Sequence, residues 1–178
     1  MPAVRVIALV IHWFLFYGII FVMMTTEMNA KLKQLLIKHE GCKAFPYLDT
    51  VGKITIGIGY NLSDRGMTDA WINQQYETDV NYFYTQLNDT FPWFQEINEV
   101  RQLVLVDMCF MGFKRFLSFK RMIDALARHN YRDAAHEMLD SKWATQVHGR
   151  ATELSGMMES GVYPEGEDHG LAKGIAQK

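Results

Sequence analysis

The sequence predicts an α+β fold in which a small β-hairpin lobe precedes a mainly helical lobe, with an apolar helix before both. Three observations predict this class. Val6–Met24 is a run without a formally charged residue, Ile54–Gly59 alternates strictly, and apolar residues recur at helical spacing after Gly66. A strand-forming segment followed only by helical ones is typical of an α+β fold rather than of alternating α/β units.

Composition excludes several classes of protein. The chain has 178 residues, with 18 Lys and Arg against 20 Asp and Glu, so we expect no nucleic-acid partner. Two cysteines, Cys42 and Cys109, cannot form a disulfide-rich framework or a four-cysteine zinc site by themselves. We expect no metal, no cofactor and a monomer. The predicted organisation is a membrane-anchor or signal-anchor segment (1–30), one folded domain (31–160) and a flexible C-terminal tail (161–178).

The N-terminal run is long enough to cross a bilayer. At about 1.5 Å per residue, Val6–Met24 matches a hydrocarbon core of about 30 Å. A cleaved signal peptide is the main alternative, because Arg5 precedes the run. The run exceeds the usual signal-peptide length and no Ala-x-Ala pattern follows it, which favours an uncleaved membrane helix over a signal peptide or a buried core helix. Charges on the two flanks do not settle its orientation.

A helix and a hairpin are predicted next. Thr25 or Thr26 can cap a helix that ends before Gly41. Thr50–Lys53 reads as a turn, and the strand after it places isoleucines on one face. The opposite face carries almost no side chain except Thr55, which suits the approach of a large ligand.

The rest of the domain is predicted to be helical. Pro92 interrupts the pattern once, and the apolar stretch that begins at Val100 is predicted to be the buried centre of the bundle. The predicted helices are Asp69–Asn88, Val100–Met111, Ser118–Arg128, Tyr131–Leu139 and Gly149–Glu159.

Two carboxylates bracket the hairpin region. Glu40 ends the first helix, Asp49 follows nine residues later, and Thr55 another six residues on. A pair of carboxylates flanking one bond is what glycoside hydrolysis requires. Spacing alone leaves open that Glu40 and Asp49 are ordinary helix-end and turn residues.

The motifs around these residues carry a resemblance. The segments His39–Gly41, Tyr47–Thr50 and Gly52–Tyr60 resemble the active-site signature of the phage-type lysozymes of glycoside hydrolase family 24. The similarity extends from about Leu32 to about Met158. It includes Val100-Arg101, Phe110–Gly112, Ala134-Ala135 and Ser141–Trp143.

The resemblance implies a lysozyme-like fold with a cleft between the two lobes, and it implies roles for three residues. Glu40 would be the general acid, kept protonated by burial in that cleft. Asp49 would stabilise the oxocarbenium-like charge and help to position water, and Thr55 would hold that water.

Further positions follow from the same resemblance. Arg150 would pair with the catalytic glutamate, and Gly57, Gly59 and Tyr60 would line the substrate cleft. Tyr60 departs from the histidine that is common in the family at this position. Basic residues concentrated in the helical part could contact peptidoglycan or lipid headgroups, or form an ordinary solvated face: Lys114, Arg115, Lys120, Arg121, Arg128 and Arg132.

The resemblance implies an endolysin that hydrolyses the β-1,4 linkage between N-acetylmuramic acid and N-acetylglucosamine in peptidoglycan glycan strands. A lytic transglycosylase and a non-catalytic peptidoglycan-binding protein of the same fold are the alternatives. Residues 6–24 would hold the protein at the host inner membrane, with the catalytic domain facing the periplasm. We expect Cys109 to be a small buried hydrophobe and Cys42 a free or weakly reactive thiol.

Overall fold

The computed structural model describes residues 24–164 and divides the chain into two compact units, Met1–Thr68 and Asp69–Lys178. The predicted membrane helix, except for Met24, lies outside the described residues, as does the predicted tail beyond residue 164. Within the described range, no helix has the length and hydropathy to cross a membrane.

Unit 1 begins with the predicted helix, here α1 (Thr26–Glu40). Thr25 is its cap, because the hydroxyl Oγ1 of Thr25 accepts a hydrogen bond from the backbone N–H of Met28 at 3.2 Å. Gly41 ends the helix with a φ of 75°, a left-handed value that glycine adopts without steric cost. The sequence therefore placed both ends of the helix correctly, and Glu40 is its last residue.

A three-stranded antiparallel sheet in the order β1-β2-β3 follows α1, and a short helix follows the sheet. The register between β1 and β2 is interrupted between Lys43 and Tyr47, where Pro46 lies. Proline has no N–H to give to a strand ladder, so an irregular edge strand is its usual place. The elements are β1 (Lys43–Leu48), β2 (Ile54–Gly57), β3 (Tyr60–Asn61) and α2 (Leu62–Arg65).

The hairpin strand is shorter than the alternation predicted. β2 ends at Gly57, and Gly57 and Gly59 take φ values of 64° and 67° in the turn to β3. Thr55 is 3% exposed, whereas Ile54 is 48% exposed. Thr55 itself is therefore covered, and the approach of a large ligand to this face stays a prediction.

All regular secondary structure in the described residues of unit 2 is helical. Pro92 opens a single 3₁₀ turn (Pro92–Gln95), which agrees with the predicted break. The predicted helix starts and ends lie within a few residues of the observed ones, and Tyr131–Leu139 agrees fully. The helices are α3 (Asp69–Thr90), α4 (Glu99–Cys109), α5 (Phe113–Phe116), α6 (Lys120–Ala127), α7 (Tyr131–Leu139), α8 (Lys142–Val147) and α9 (Gly149–Ser160).

The hydrophobic core of the described residues lies in unit 2. Helix α9 packs against α4, α7 and α8, and α6 packs against α7. The prediction that α4 is central is confirmed for Val104–Val106, Met108 and Cys109, which are buried. Leu103 and Phe110 are nearly half exposed, so this segment is not buried all round.

Arg101 connects the helices of unit 2. Its Nε and Nη2 donate hydrogen bonds to the carbonyl oxygens of Met158 and Glu159, at 2.8 and 2.9 Å. The guanidinium also lies over the ring of Tyr131, 3.7 Å from the centroid. A cation at the last carbonyls of a helix satisfies acceptors that have no intrahelical donor. Arg101 thus links α4 to the end of α9 and to α7.

Candidate active site

Asp49 is held by the turn that joins β1 to β2. Its Oδ1 accepts hydrogen bonds from the backbone N–H groups of Val51 and Lys53, at 3.0 and 2.8 Å. The backbone of Asp49 also donates to the carbonyl of Lys53 at 2.9 Å. Aspartate binds its own turn in this way because its short side chain reaches N–H groups two and four residues ahead. The carboxylate is therefore fixed through one oxygen, and Oδ2 remains for another contact.

That second oxygen meets Thr55. The Thr55 hydroxyl lies 3.3 Å from Asp49 Oδ2 and 3.4 Å from the carbonyl oxygen of Lys53. A hydroxyl has one proton to donate, so it serves one of these acceptors at a time. Thr55 is the one residue in the described part of unit 1 that is buried. The structure thus brings two of the predicted site residues into contact through a buried polar side chain.

The Glu40 side chain is positioned by close contact with a glycine turn rather than by hydrogen bonds to its own turn. A Cβ built on Gly59 would lie 3.2 Å from both Cγ and Oε2 of Glu40, tighter than most real contacts of this kind. The missing Cβ of Gly59 therefore lets the β2–β3 turn approach the Glu40 side chain without a shift of either. Helix α1 fixes the backbone of Glu40, and the turn limits where its carboxyl group can lie.

Within unit 1 the Glu40 side chain is exposed, and its predicted burial between the lobes stays a prediction. The prediction assumed that a cleft between the lobes would desolvate this carboxyl group. The resemblance supplied that environment, and the residues around Glu40 in the sequence do not. The cleft itself, which would involve both units, stays a prediction.

The other predicted cleft residues lie at the turn after β2. Gly57 has a left-handed φ, and a Cβ added there would meet no atom within 4 Å. Tyr60 donates a hydrogen bond from its hydroxyl to the carbonyl of Gly66 at 2.8 Å, and Arg65 lies over its ring at 4.3 Å. The Tyr60 hydroxyl is therefore engaged with the α2 segment.

Sequence reasoning did not anticipate an ion pair beside Asp49. Lys53 Nζ lies 2.8 Å from Asp64 Oδ1. The hydrogen bond to Asp64 raises the pKa of Lys53, and the nearby negative charge of Asp49 adds to that effect. The same hydrogen bond lowers the pKa of Asp64. Both groups are exposed, so the pair orders the turn more than it stabilises the fold. Asn61 was the sequence signal for this arrangement, because an asparagine three residues before Asp64 can cap a short helix that positions Asp64, as it caps α2 here.

Arg150 belongs to unit 2 and is bound there. Its Nη2 lies 2.8 Å from Asp107 Oδ1 and 3.1 Å from the Asp107 carbonyl oxygen, and its Nε lies 3.1 Å from the same carboxylate. The sequence analysis did not identify Asp107, because it lies within the apolar stretch of α4 that was predicted to be buried. The predicted pairing of Arg150 with Glu40 joins the two units and stays a prediction.

The cysteines have contrasting surroundings. Cys42 is exposed and Cys109 is fully buried, and both are free thiols. Burial raises the pKa of the Cys109 thiol to about 12, because the charged thiolate is poorly solvated there. The expectation that Cys109 is buried is confirmed, and Cys42 is a free, exposed thiol, whose reactivity stays a prediction.

Within residues 24–164, no group of three or more His, Cys, Asp or Glu side chains is arranged to hold a metal ion. The carboxylates of Asp49 and Glu40 are groups that can take part in acid–base and electrostatic chemistry. The Asp49 carboxylate is held by its turn and by the Thr55 hydroxyl, and the Glu40 carboxylate lies against the turn that contains Gly59.

Comparison with known proteins gives a family match over the part of the chain that contains these residues. The model of the family described as phage lysozyme matches residues 37–159. This match spans Glu40, Asp49 and Thr55 as well as Arg150. It covers more than half of the chain and both units.

The individual relatives have low sequence identity to this chain, but the alignments with them cover most of it. A protein of Dictyostelium discoideum named probable T4-type lysozyme 1 is 24% identical over 165 residues, which cover 76% of this chain and 97% of the relative. The probable T4-type lysozyme 2 of the same organism is 22% identical and is covered over 99% of its length. The pre-baseplate central spike protein Gp5 of Enterobacteria phage T4 is 26% identical, over 28% of its own length.

Proposed function

The chain belongs to the phage lysozyme family, and from this premise we propose that it is a muramidase acting as an endolysin. The family implies peptidoglycan as the substrate. The proposed reaction is hydrolysis of the β-1,4 linkage between N-acetylmuramic acid and N-acetylglucosamine. The observation that carries the proposal is the contact of Thr55 with Asp49 Oδ2, beside a turn that already holds Oδ1.

Glu40 is the proposed general acid. Breaking a glycosidic bond requires a proton on the leaving oxygen, and a carboxyl group within hydrogen-bond reach supplies it. Gly59 supports this role, because its missing Cβ lets the β2–β3 turn limit the orientations of the Glu40 carboxyl group. An exposed Glu40 is accessible to a large glycan strand.

Asp49 and Thr55 are proposed to act together on the other reactant. Asp49, as a carboxylate, stabilises the positive charge that develops on the sugar ring and accepts a proton from the attacking water. The buried Thr55 hydroxyl donates to Oδ2 and so fixes the oxygen that meets this water. This refines the expectation that Thr55 holds the water: with 3% exposure, it positions the carboxylate that does so.

Arg150 is proposed to support Glu40, as the resemblance implies. Asp107 already orients its guanidinium through Nε and Nη2. An arginine has five N–H donors, so an oriented guanidinium can still serve a second carboxylate.

The place of action is also part of the proposal. Peptidoglycan lies outside the cytoplasm, and the uncharged run over residues 6–24 is long enough for a membrane anchor. We therefore place the protein at the host inner membrane, with the catalytic domain facing the periplasm. Fractionation of cells tests this: the full-length protein should remain with membranes after salt and alkali washes. Its release by salt alone would contradict anchoring.

The catalytic proposal is tested by Glu40→Gln in a turbidity assay on chloroform-treated Gram-negative cells. Glutamine keeps the shape but has no transferable proton, so clearing should slow by about 10²–10⁴-fold. The matched control is Glu27→Gln, which removes an exposed carboxylate from the same helix and its 2.6 Å ion pair with Lys31. The control should clear cells at the parent rate. A Glu40→Gln protein that does the same would contradict the assignment, and a parent without any clearing would favour a non-catalytic binding protein.

A further inference from the structure

One peptide group of unit 1, between Lys53 and Ile54, contacts both candidate residues of the hairpin. Its carbonyl oxygen accepts the backbone N–H of Asp49 at 2.9 Å and lies 3.4 Å from the Thr55 hydroxyl. The backbone N–H of Lys53, on the preceding peptide group, donates to Asp49 Oδ1 at 2.8 Å. The orientation of the Lys53–Ile54 peptide group therefore affects both Asp49 and Thr55.

The other side of this peptide group is held by Ser63. The backbone N–H of Ile54 donates to Ser63 Oγ at 2.9 Å. The C=O and N–H of a trans peptide lie in one plane and point in opposite directions. Asp49 therefore holds one edge of the plane and Ser63 holds the other, and each hydrogen bond polarises the group and strengthens its neighbour.

Ser63 lies where the strand ladder ends. Strand β3 consists of Tyr60 and Asn61, and Asn61 pairs with Thr55. Ile54 comes one residue before Thr55, so it lies beyond the last paired residue of β3. A backbone N–H without an acceptor is costly where water is kept away. The Ser63 side chain supplies that acceptor, so the type of residue at this position matters for the backbone of β2.

Helix α2 presents Ser63 from a fixed backbone. With four residues, α2 is too short to be stable by itself. At its start, Asn61 Oδ1 accepts the backbone N–H of Asp64 at 3.0 Å. At its end, the carbonyl oxygen of Gly66 accepts the Tyr60 hydroxyl at 2.8 Å. Both contacts come from β3, so the sheet itself determines where the Ser63 hydroxyl lies.

Helix α2 has a second contact with the same turn, and it acts differently. Lys53 Nζ lies 2.8 Å from Asp64 Oδ1, and both side chains are exposed. Solvent screens such a pair, and the flexible four-carbon stem of lysine separates its ammonium group from the backbone. Loss of the Asp64 charge therefore leaves the hydrogen bonds of the Lys53–Ile54 peptide group in place, whereas loss of the Ser63 hydroxyl removes one of them.

We propose that Ser63 is a positioning residue for the lysozyme reaction. Its hydroxyl fixes the Lys53–Ile54 peptide group and, through it, the Asp49 carboxylate and the Thr55 hydroxyl. This role rests on the proposed function, in which Asp49 acts on the attacking water. Without the hydroxyl, the peptide plane is held from one edge only, and Asp49 spends less time in its productive position. Misplacing a reacting group by about 1 Å can cost roughly 10²-fold in rate.

Threonine and valine at position 63 test this role, because the two side chains have nearly the same shape and similar helix propensity. Ser63→Thr keeps the hydroxyl, whereas Ser63→Val replaces it with a methyl group that also keeps water from the Ile54 N–H. The substrate is soluble, uncross-linked glycan strands, and the full-length protein is assayed in detergent. We expect Ser63→Thr to keep kcat within twofold and Ser63→Val to lower kcat at least fivefold, with KM within twofold in both.

Equal kcat in the threonine and valine variants, or a rise in KM at unchanged kcat, would overturn the proposal. Ser63→Ala covers the case in which valine prevents folding. It also lacks the hydroxyl but admits water to the Ile54 N–H, so it should lower kcat at least threefold. A Ser63→Ala protein as active as Ser63→Thr would likewise overturn the proposal.

Amide hydrogen exchange measures the positioning without any substrate. The backbone N–H groups of Val51 and Lys53 donate to Asp49 Oδ1, at 3.0 and 2.8 Å. NMR of the full-length protein in detergent should show at least fivefold faster exchange at both amides in Ser63→Val, and exchange within twofold of the parent in Ser63→Thr. Unchanged exchange in Ser63→Val would overturn the positioning role even if activity fell.

The matched control is Asp64→Asn, which removes the charge that pairs with Lys53 Nζ but leaves the contact of Ser63 with the backbone. Both kcat and the two exchange rates should stay within twofold of the parent. A loss equal to that of Ser63→Val would overturn the specific role of Ser63. A parent protein without activity would refute the proposed function, whereas the exchange rates would still decide whether Ser63 holds the Asp49 turn.

Discussion

The two units of the chain are organised by different forces. In unit 2, helices enclose apolar side chains, and every buried apolar side chain among the described residues lies between Leu87 and Met158. In the described part of unit 1, the one buried side chain is the polar Thr55. The candidate catalytic residues Glu40, Asp49 and Thr55 lie in unit 1, outside the apolar core. Hydrogen bonds and glycine geometry, not apolar packing, hold them in place.

This difference separates stability from activity. Removal of apolar packing in unit 2 should change the free energy of unfolding, because each core side chain contributes transfer and packing energy. Changes around Asp49 should affect catalysis first, because they disturb a few directed contacts. The predictions below test that separation.

The largest expected effect is on stability, from Phe116→Ala. Phe116 is fully buried against the rings of Phe91 and Phe113, so the change should cost about 3–5 kcal/mol in the free energy of unfolding. Phe45→Ala is the matched change in unit 1. Phe45 is 82% exposed and should cost less than about 0.5 kcal/mol. Urea unfolding followed by circular dichroism measures both, and equal costs would remove the contrast between the units.

Asp49→Asn should mainly affect activity. Asparagine keeps an oxygen that can accept from Val51 and Lys53, but it loses the charge that faces the developing cation. We expect activity to fall by about 10²–10³-fold and the free energy of unfolding to fall by only about 1 kcal/mol.

The control for this change is Asp64→Asn, which removes a carboxylate of the same unit from its exposed pair with Lys53. It should lower stability by less than about 1 kcal/mol and leave activity within twofold. If Asp64→Asn reduces lysis as strongly as Asp49→Asn does, the charge of Asp49 has no special role.

Gly59→Ala tests how Glu40 is positioned. The new Cβ would press on the Glu40 carboxyl group at 3.2 Å and would also strain a backbone with a φ of 67°. Gly57→Ala carries nearly the same strain, with a φ of 64°, but meets no atom within 4 Å. Both changes should cost about 1–2 kcal/mol in the free energy of unfolding. Activity should fall at least tenfold further for Gly59→Ala, and equal activities would mean that Gly59 does not position Glu40.

The smallest effect concerns the thiols. Burial raises the pKa of Cys109 to about 12, so at pH 8 its reactive thiolate should be almost absent, whereas Cys42 is exposed. A thiol reagent should label one cysteine in the native protein and both in urea, and reductant should leave activity unchanged. A parent protein that is inactive until reduced, beside a Cys42→Ser protein that is active throughout, would instead indicate redox control.

The sequence predicted local features well. The cap at Thr25, the stop at Gly41 and the limits of Tyr131–Leu139 follow from capping chemistry and apolar spacing, which act within a few residues. The resemblance carried by the surrounding motifs identified Asp49 and Thr55 as candidates, and the structure brings their side chains together.

Features that depend on the path of the chain were predicted less well. The strand was expected to continue through the third isoleucine, because alternation does not reveal that Gly57 and Gly59 turn the chain. The pairing of Arg150 with Asp107 depends on residues distant in sequence. No local pattern encodes such contacts, so the sequence could not supply them.

The central claim is that Glu40, Asp49 and Thr55 cleave peptidoglycan with water as the attacking group. Mass spectrometry of the sugar ends released from purified peptidoglycan tests it most directly. The contact between Thr55 and Asp49 supports water as the nucleophile, so the products should end in reducing N-acetylmuramic acid. Products that end mainly in 1,6-anhydro-N-acetylmuramic acid would contradict the claim and place the protein among the lytic transglycosylases.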